Sequence, residues 1–221
     1  MVFLILGSLI QLLGPFFYKI IITIMRKKYS LGHKVFKKIT PQRIYDIVSI
    51  VGGIICVSAI YEVLISNIIL NNNQIVGVFL CGAIGGSLPL VIWKIYNFKI
   101  IYKKGKINKD TFLFLPLVAV SEELVWRYSV PFLIMNFYES LTLSIFISSI
   151  GFLILHLPLG GMRSIPYMII FTIGVTISYI IFGILAAIAF HIFHNLIINF
   201  FYPKKIQSAH LQKITHSETE W

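Results

Sequence analysis

About seven runs of apolar residues, each close to the length that crosses a bilayer, constrain the fold of this chain. They cover approximately Val2–Met25, Ile44–Ile69, Ile75–Ile95, Thr111–Met135, Leu141–Leu157, Ile165–Phe182 and Gly183–Phe201. A helix of about 20 residues spans the hydrocarbon core and satisfies its own backbone hydrogen bonds there. Pro131 offers an alternative in which the helix of the fourth run ends at Val130. The sequence predicts an all-α, polytopic transmembrane helical bundle of about seven spans.

The composition supports a membrane protein and argues against nucleic acid as a partner. The chain has 221 residues, of which 57% are hydrophobic and 12% charged, and its mean hydropathy is +0.88. Soluble domains are less apolar. The net charge is +11, but no basic face or known binding motif accompanies it, so we expect no nucleic-acid binding. Cys56 and Cys81 lie within apolar runs and are interpreted as packing residues.

The basic residues predict the orientation of the spans. They concentrate in segments 26–43, 99–110 and 158–164 and after Phe201, whereas segments 71–74 and 136–140 contain no Lys or Arg. With seven spans, every basic segment falls on one side, which the positive-inside rule makes cytoplasmic. We therefore expect a multi-pass protein of the cell membrane, with the N-terminus outside and the C-terminus in the cytoplasm.

Ionisable side chains interrupt the fourth apolar run. Glu122, Glu123 and Arg127 lie close together there, where a central charge costs roughly 2.5–3.5 kcal/mol. Residues four apart share a helix face, so Glu123 and Arg127 are expected to pair, while Glu122 points about 100° away. The later runs add further polar side chains: His156, His191, His194 and Asn195. We expect these groups to converge in a polar cavity in the cytoplasmic half of the membrane.

Each of these groups also has a purely structural interpretation. A Glu–Arg pair can clamp two helices, a buried histidine can be a packing residue, and an asparagine can join helices by hydrogen bonds. Together they place a carboxylate without a charge partner, several imidazoles and an amide inside lipid. That combination is costly enough to favour a functional site.

Three motifs in the second half of the chain resemble those of the CPBP intramembrane proteases, a family named for CAAX prenyl proteases and bacteriocin-processing enzymes and also called the Abi family. The family motifs are two glutamates and an arginine, a phenylalanine and a histidine, and a histidine with an asparagine or aspartate, with three residues in each gap. The matching stretches are Glu122-Glu123-Leu-Val-Trp-Arg127, Phe152-Leu-Ile-Leu-His156 and His191-Ile-Phe-His-Asn195. They occur in the family's order on three separate predicted spans, and the resemblance covers about residues 110–202.

The resemblance implies an intramembrane endopeptidase that uses a glutamate-activated water. Glu122 would be the general base, and His156 would help to hold or polarise the water. His191 and Asn195 would donate hydrogen bonds to the developing oxyanion. The remaining motif residues would orient or pack the motif helices: Glu123, Arg127 and Phe152. The chain then divides into an N-terminal three-span region (1–110), a catalytic core (111–202) and a cytoplasmic basic tail (203–221).

The implied substrate is a membrane-associated protein or peptide in the lipid bilayer, either a prenylated C-terminus or a bacteriocin-like or signal-peptide-like precursor. No cofactor is expected. Zinc is the alternative, because two histidines and a glutamate form several catalytic zinc sites, although the sequence contains no HExxH. Two other functions stay open: a non-catalytic scaffold or bacteriocin self-immunity protein that retains the protease fold, and a transporter with a proton relay.

Overall fold

The computed structural model describes residues 1–26, 41–67, 71–103 and 109–205. Helices form most of this part of the chain. They are α1 (Val2–Arg26), α2 (Pro41–Asn67), α3 (Asn72–Ile95), α4 (Lys109–Glu123), α5 (Val130–Tyr138), α6 (Leu141–Gly160), α7 (Ile165–Phe182) and α8 (Ile184–Phe200). A π-helical turn, Leu124–Ser129, joins α4 to α5, and a 3-10 turn, Met162–Ser164, leads into α7.

Five helices in the described part of the chain are long and apolar enough to cross a membrane. They are Val2–Ile24, Gln42–Ser66, Asn72–Ile95, Leu141–Pro158 and Met162–Phe182. Ile184–Phe200 is a shorter apolar helix. Large apolar side chains such as Phe79 and Phe146 are exposed on the outside of the bundle, as lipid contact requires. These features agree with the predicted helical membrane bundle, while seven spans and their orientation stay predictions.

The fourth apolar run is helical throughout, but its middle is wound as a π-helix. The alternative helix end at Val130 is therefore wrong, because the helical backbone continues to Tyr138. Pro131 lies in the first turn of α5, directly after the π turn, and proline is tolerated at the start of a helical segment. The buried Ser129 hydroxyl donates to the Leu124 carbonyl over 2.9 Å and so supports the wide turn.

Glycines allow two helix pairs to pack backbone against backbone. α1 packs closely on α2, where Gly7 and Gly52 face each other, and α3 packs closely on α8. At Gly85 of α3, an added Cβ would overlap the carbonyl oxygen of Phe190 in α8. Small residues at such crossings are typical of membrane helix packing. α3 therefore fixes the position of α8, which carries His191 and Asn195.

A short antiparallel ribbon, which the sequence did not predict, lies at one end of the bundle. Its strands are β1 (Phe98–Tyr102) and β2 (Phe201–Lys205), and Ile100 is opposite Pro203. Beside it, the Lys103 ammonium donates to the Ile198 carbonyl at the end of α8 over 2.9 Å. The ribbon joins the chain that leads into α4 to the chain that leaves α8.

Several sequence predictions fall wholly or partly outside the described residues. These are the basic connection within 26–43, the end of the second run at Ile69, part of the basic segment 99–110 and the basic tail beyond Lys205. The predicted boundary between the core and the tail, at residue 203, falls inside strand β2.

Candidate active site

The two adjacent glutamates lie at the end of α4 and are both buried in the bundle. Glu122 is 2% exposed and Glu123 is fully buried. Successive residues of a helix point about 100° apart, so the two carboxylates face different neighbours. Next to them, a Cβ at Gly53 of α2 would overlap the Ser121 hydroxyl, so α2 lies very close to α4 at this level. Gly151 likewise leaves room for the Trp126 ring against α6.

Glu122 lies beside two histidines from different helices. Its Oε2 is 3.8 Å from Nε2 of His156 in α6 and 3.7 Å from Nε2 of His191 in α8. Both distances exceed a direct hydrogen bond but can be bridged by one water molecule. His191 is buried, whereas the His156 side chain is 18% exposed. The structure therefore brings together three of the four side chains to which the sequence assigned catalytic roles.

Glu123 contacts both His191 and Arg127. Its Oε1 accepts a hydrogen bond from Nδ1 of His191 over 2.6 Å, and its Oε2 is 3.6 Å from Nε of Arg127. The Arg127 guanidinium also lies over the Phe152 ring, 4.6 Å from its centroid. The expected Glu–Arg pair is present, but its carboxylate makes the shorter contact with His191. No local pattern predicts that contact, which joins residues 68 positions apart.

Phe152 and His156 pack as a unit on one face of α6. The His156 Nδ1 donates to the Phe152 carbonyl over 2.9 Å, and the two rings lie 4.5 Å apart. Because Nδ1 carries the hydrogen, a neutral His156 presents Nε2 to Glu122 as an acceptor. Phe152 also meets the His191 ring edge-on, with the centroids 5.9 Å apart. Phe152 thus contacts Arg127 and both histidines.

Asn195 is the fourth predicted catalytic residue, and its side chain contacts the neighbouring His194. His194 Nδ1 is 3.2 Å from Asn195 Oδ1, and its Nε2 accepts a hydrogen bond from the Tyr167 hydroxyl of α7 when the ring is neutral. An Nδ1–H bond to Oδ1 holds the amide oxygen of Asn195 and leaves its NH₂ group to donate elsewhere. The Phe171 ring packs against both His194 and His191, with centroids 4.2 Å and 5.1 Å away.

Tyr45 of α2 is a site residue that the sequence reasoning missed. Its hydroxyl donates to Oε1 of Glu122 over 2.5 Å, and the side chain is 4% exposed. It lies outside the three motifs and 77 positions before the glutamate that it contacts. A tyrosine on a membrane helix carries no local signal of such a contact. A buried carboxylate that needs a donor was the available hint.

The geometry does not identify a metal centre. Within the described parts of the chain, no group of three or more His, Cys, Asp or Glu side chains is arranged to hold a metal ion. The carboxylates, imidazoles, guanidinium and amide instead offer a base, proton donors and acceptors in a buried setting. Such a set can take a proton from water and stabilise a developing negative charge.

The fold and these side chains define a multi-pass helical membrane protein with a buried glutamate–histidine site. Residues 108–197 match the family model described as Type II CAAX prenyl endopeptidase Rce1-like. This match covers the three motifs and supports the CPBP/CAAX protease family, which confirms the resemblance. The family supports a CAAX-type intramembrane protease with a membrane-associated protein substrate. No curated protein and no solved structure matches the chain.

Proposed function

We propose that this chain is an intramembrane endopeptidase in which Glu122 activates a water molecule for attack on a peptide bond. The observation that carries the proposal is the convergence of Glu122 Oε2 on Nε2 of His156 and Nε2 of His191, at 3.8 Å and 3.7 Å. Ionisable side chains are costly to bury among apolar helices, so the convergence of three of them favours a functional role.

The water would be held by two acceptors. One of its hydrogens points to Glu122 Oε2 and the other to Nε2 of His156, whose Nδ1 hydrogen is already donated to the Phe152 carbonyl. As the water oxygen attacks the carbonyl carbon of the substrate, Glu122 takes its proton and a new C–O bond forms. When the tetrahedral intermediate collapses, the C–N bond breaks and the same proton passes to the leaving amine.

The oxyanion would be stabilised from α8. Asn195 donates through its NH₂ group, whose orientation His194 fixes. His191 donates through Nε2 when both ring nitrogens carry hydrogens, and the Glu123 carboxylate stabilises that charged form through Nδ1. Each donor of this kind typically contributes about 10²–10³ in kcat.

The substrate would be a membrane-anchored protein or peptide, and the family match favours a prenylated C-terminus. The alternative substrate is a precursor of the bacteriocin or signal-peptide type, which the same reaction would cleave although no prenyl group anchors it to the membrane. Purified protein in liposomes would be given matched peptides with and without a farnesyl group. Cleavage of the prenylated peptide alone assigns the CAAX class, and equal cleavage of both assigns the broader class.

The proposal is tested by mass spectrometry of protein C-termini and membrane-associated peptides from cells with wild-type protein or Glu122→Gln. Glu62→Gln is the matched control, because Glu62 is an exposed glutamate on a membrane helix. Termini that appear with wild type and Glu62→Gln but not with Glu122→Gln support the protease. Identical profiles from three equally abundant, folded proteins would overturn it and favour a scaffold or immunity protein.

The proposed chemistry uses no metal ion. Full activity of the liposome preparation after prolonged chelation is the expected result. Loss of activity on chelation, followed by recovery with zinc, would replace the glutamate base with a zinc-bound water.

A further inference from the structure

The N-terminal helical region, which lies outside the matched segment 108–197, reaches the site through Tyr45. The phenol hydroxyl donates to Glu122 Oε1 over 2.5 Å, and the two groups belong to α2 and α4. The contact is buried on both sides, since Tyr45 is 4% and Glu122 2% exposed. A charge-assisted hydrogen bond in such surroundings is short and orients the carboxylate strongly.

The placement of Tyr45 is fixed by packing on either side. Its ring lies against Gly14 of α1, where an added Cβ would come within 3.7 Å of the ring. Eight residues further along α2, Gly53 closely approaches Ser121, the residue before Glu122. Residues eight apart on a helix point about 80° apart, so both contacts to α4 lie within one broad side of α2. The hydroxyl is held by the packing of three helices.

The two carboxylate oxygens of Glu122 have different neighbours. Oε1 is engaged by Tyr45, whereas Oε2 faces Nε2 of His156 and of His191. A carboxylate without the first bond can rotate about its last torsion, because terminal sp³–sp² torsions are broad. The two oxygens are equivalent, so a half-turn changes nothing, but a partial rotation would carry both of them out of line with the two imidazoles.

We propose that Tyr45 is a positioning residue for the catalytic carboxylate: its hydroxyl fixes Glu122 so that Oε2 is presented to the water site between the histidines. This inference rests on the proposed function of Glu122 as the general base. It makes the N-terminal helices part of the active site, as the source of the group that orients the base.

The first test compares Tyr45→Phe with wild type on one substrate in liposomes. The variant removes one oxygen and keeps the ring that packs on Gly14. We expect kcat to fall about tenfold, the usual scale for a lost hydrogen bond to a charged group. KM should stay unchanged, because Tyr45 acts through Glu122. Tyr61→Phe, which removes an exposed hydroxyl from the same helix, should retain the wild-type kcat. A wild-type kcat for Tyr45→Phe would overturn the inference.

The second test does not depend on proteolysis. A hydrophobic carbodiimide modifies intramembrane carboxyl groups, and the labelling rate of Glu122 is measured by mass spectrometry in native membranes. Tyr45→Phe should label several-fold faster than wild type and Tyr61→Phe, because Oε1 is freed. Equal rates would overturn the inference. If wild type cleaves no substrate but Tyr45→Phe still labels faster, the contact stands and the proposed protease function fails.

Discussion

Glu123 and His191 form a carboxylate–imidazole pair across α4 and α8, with Oε1 and Nδ1 2.6 Å apart. The pair keeps a hydrogen on Nδ1 of His191 and turns Nε2 towards Glu122 Oε2, 3.7 Å away. One histidine therefore lies between two carboxylates that are neighbours in the sequence. This arrangement gives Glu123 a function beyond its pairing with Arg127.

Glu123→Gln should lower kcat by about 100-fold or more with little change in KM. The amide still reaches His191, but it removes the negative charge that stabilises a doubly protonated ring, and comparable changes beside a catalytic histidine have large effects. Steady-state cleavage in liposomes measures both constants. A Glu123→Gln protein with wild-type kcat would restrict Glu123 to helix packing.

Asn195→Ala should lower kcat by about 10²-fold, the cost of one lost oxyanion donor. Asn199→Ala is the matched control, since Asn199 lies one turn later on α8 and its amide donates to the Asn195 backbone carbonyl over 3.0 Å. The control should keep kcat close to wild type. Equal losses in the two variants would assign the effect to α8 packing.

Arg127 should contribute to stability through both its charge and its planar shape. Arg127→Met leaves Glu123 without its guanidinium partner and should cost about 3–5 kcal/mol of unfolding free energy. Arg127→Lys keeps the charge but loses the flat contact over Phe152, so we expect a smaller loss of about 1 kcal/mol. Thermal unfolding in one detergent compares them. Equal stability of the Lys and Met variants would refute a role for the charge.

Gly85→Ala should destabilise the protein by about 1–3 kcal/mol and reduce cleavage, because the new Cβ overlaps the Phe190 backbone and pushes α8 from α3. The adjacent Gly86→Ala is the control. Its Cβ would lie 3.6 Å from Phe193 Cβ, an ordinary contact, so stability should be maintained. Denaturation midpoints and kcat are measured for both. Indistinguishable variants would contradict the close packing of α3 on α8.

The predicted topology can be tested with single cysteines. Cys56 and Cys81 are free and buried, so they should react little with an impermeant maleimide. On intact cells, Asn73→Cys should be labelled, whereas Lys204→Cys on strand β2 should be labelled after permeabilisation. Labelling of both sites before permeabilisation would contradict the seven-span, N-outside arrangement.

Local patterns in the sequence determined the helices, one ion pair and the family of this protein. Apolar runs of membrane length predicted the helices, because a helix satisfies its own backbone hydrogen bonds inside lipid. The spacing of Glu123 and Arg127 predicted their pair, because residues one turn apart meet on one face. The three motifs predicted the family, which the match over residues 108–197 confirms.

Only the tertiary structure decided which helices supply the partners of Glu122 and Glu123. The contact of Glu123 with His191 and that of Tyr45 with Glu122 depend on how helices distant in sequence pack. Hydrophobic periodicity identifies each helix, but inside lipid it does not choose a neighbour, because lipid tails are as apolar as the helices. Close glycine contacts and hydrogen bonds between buried polar groups make that choice, and they join residues that no local pattern connects.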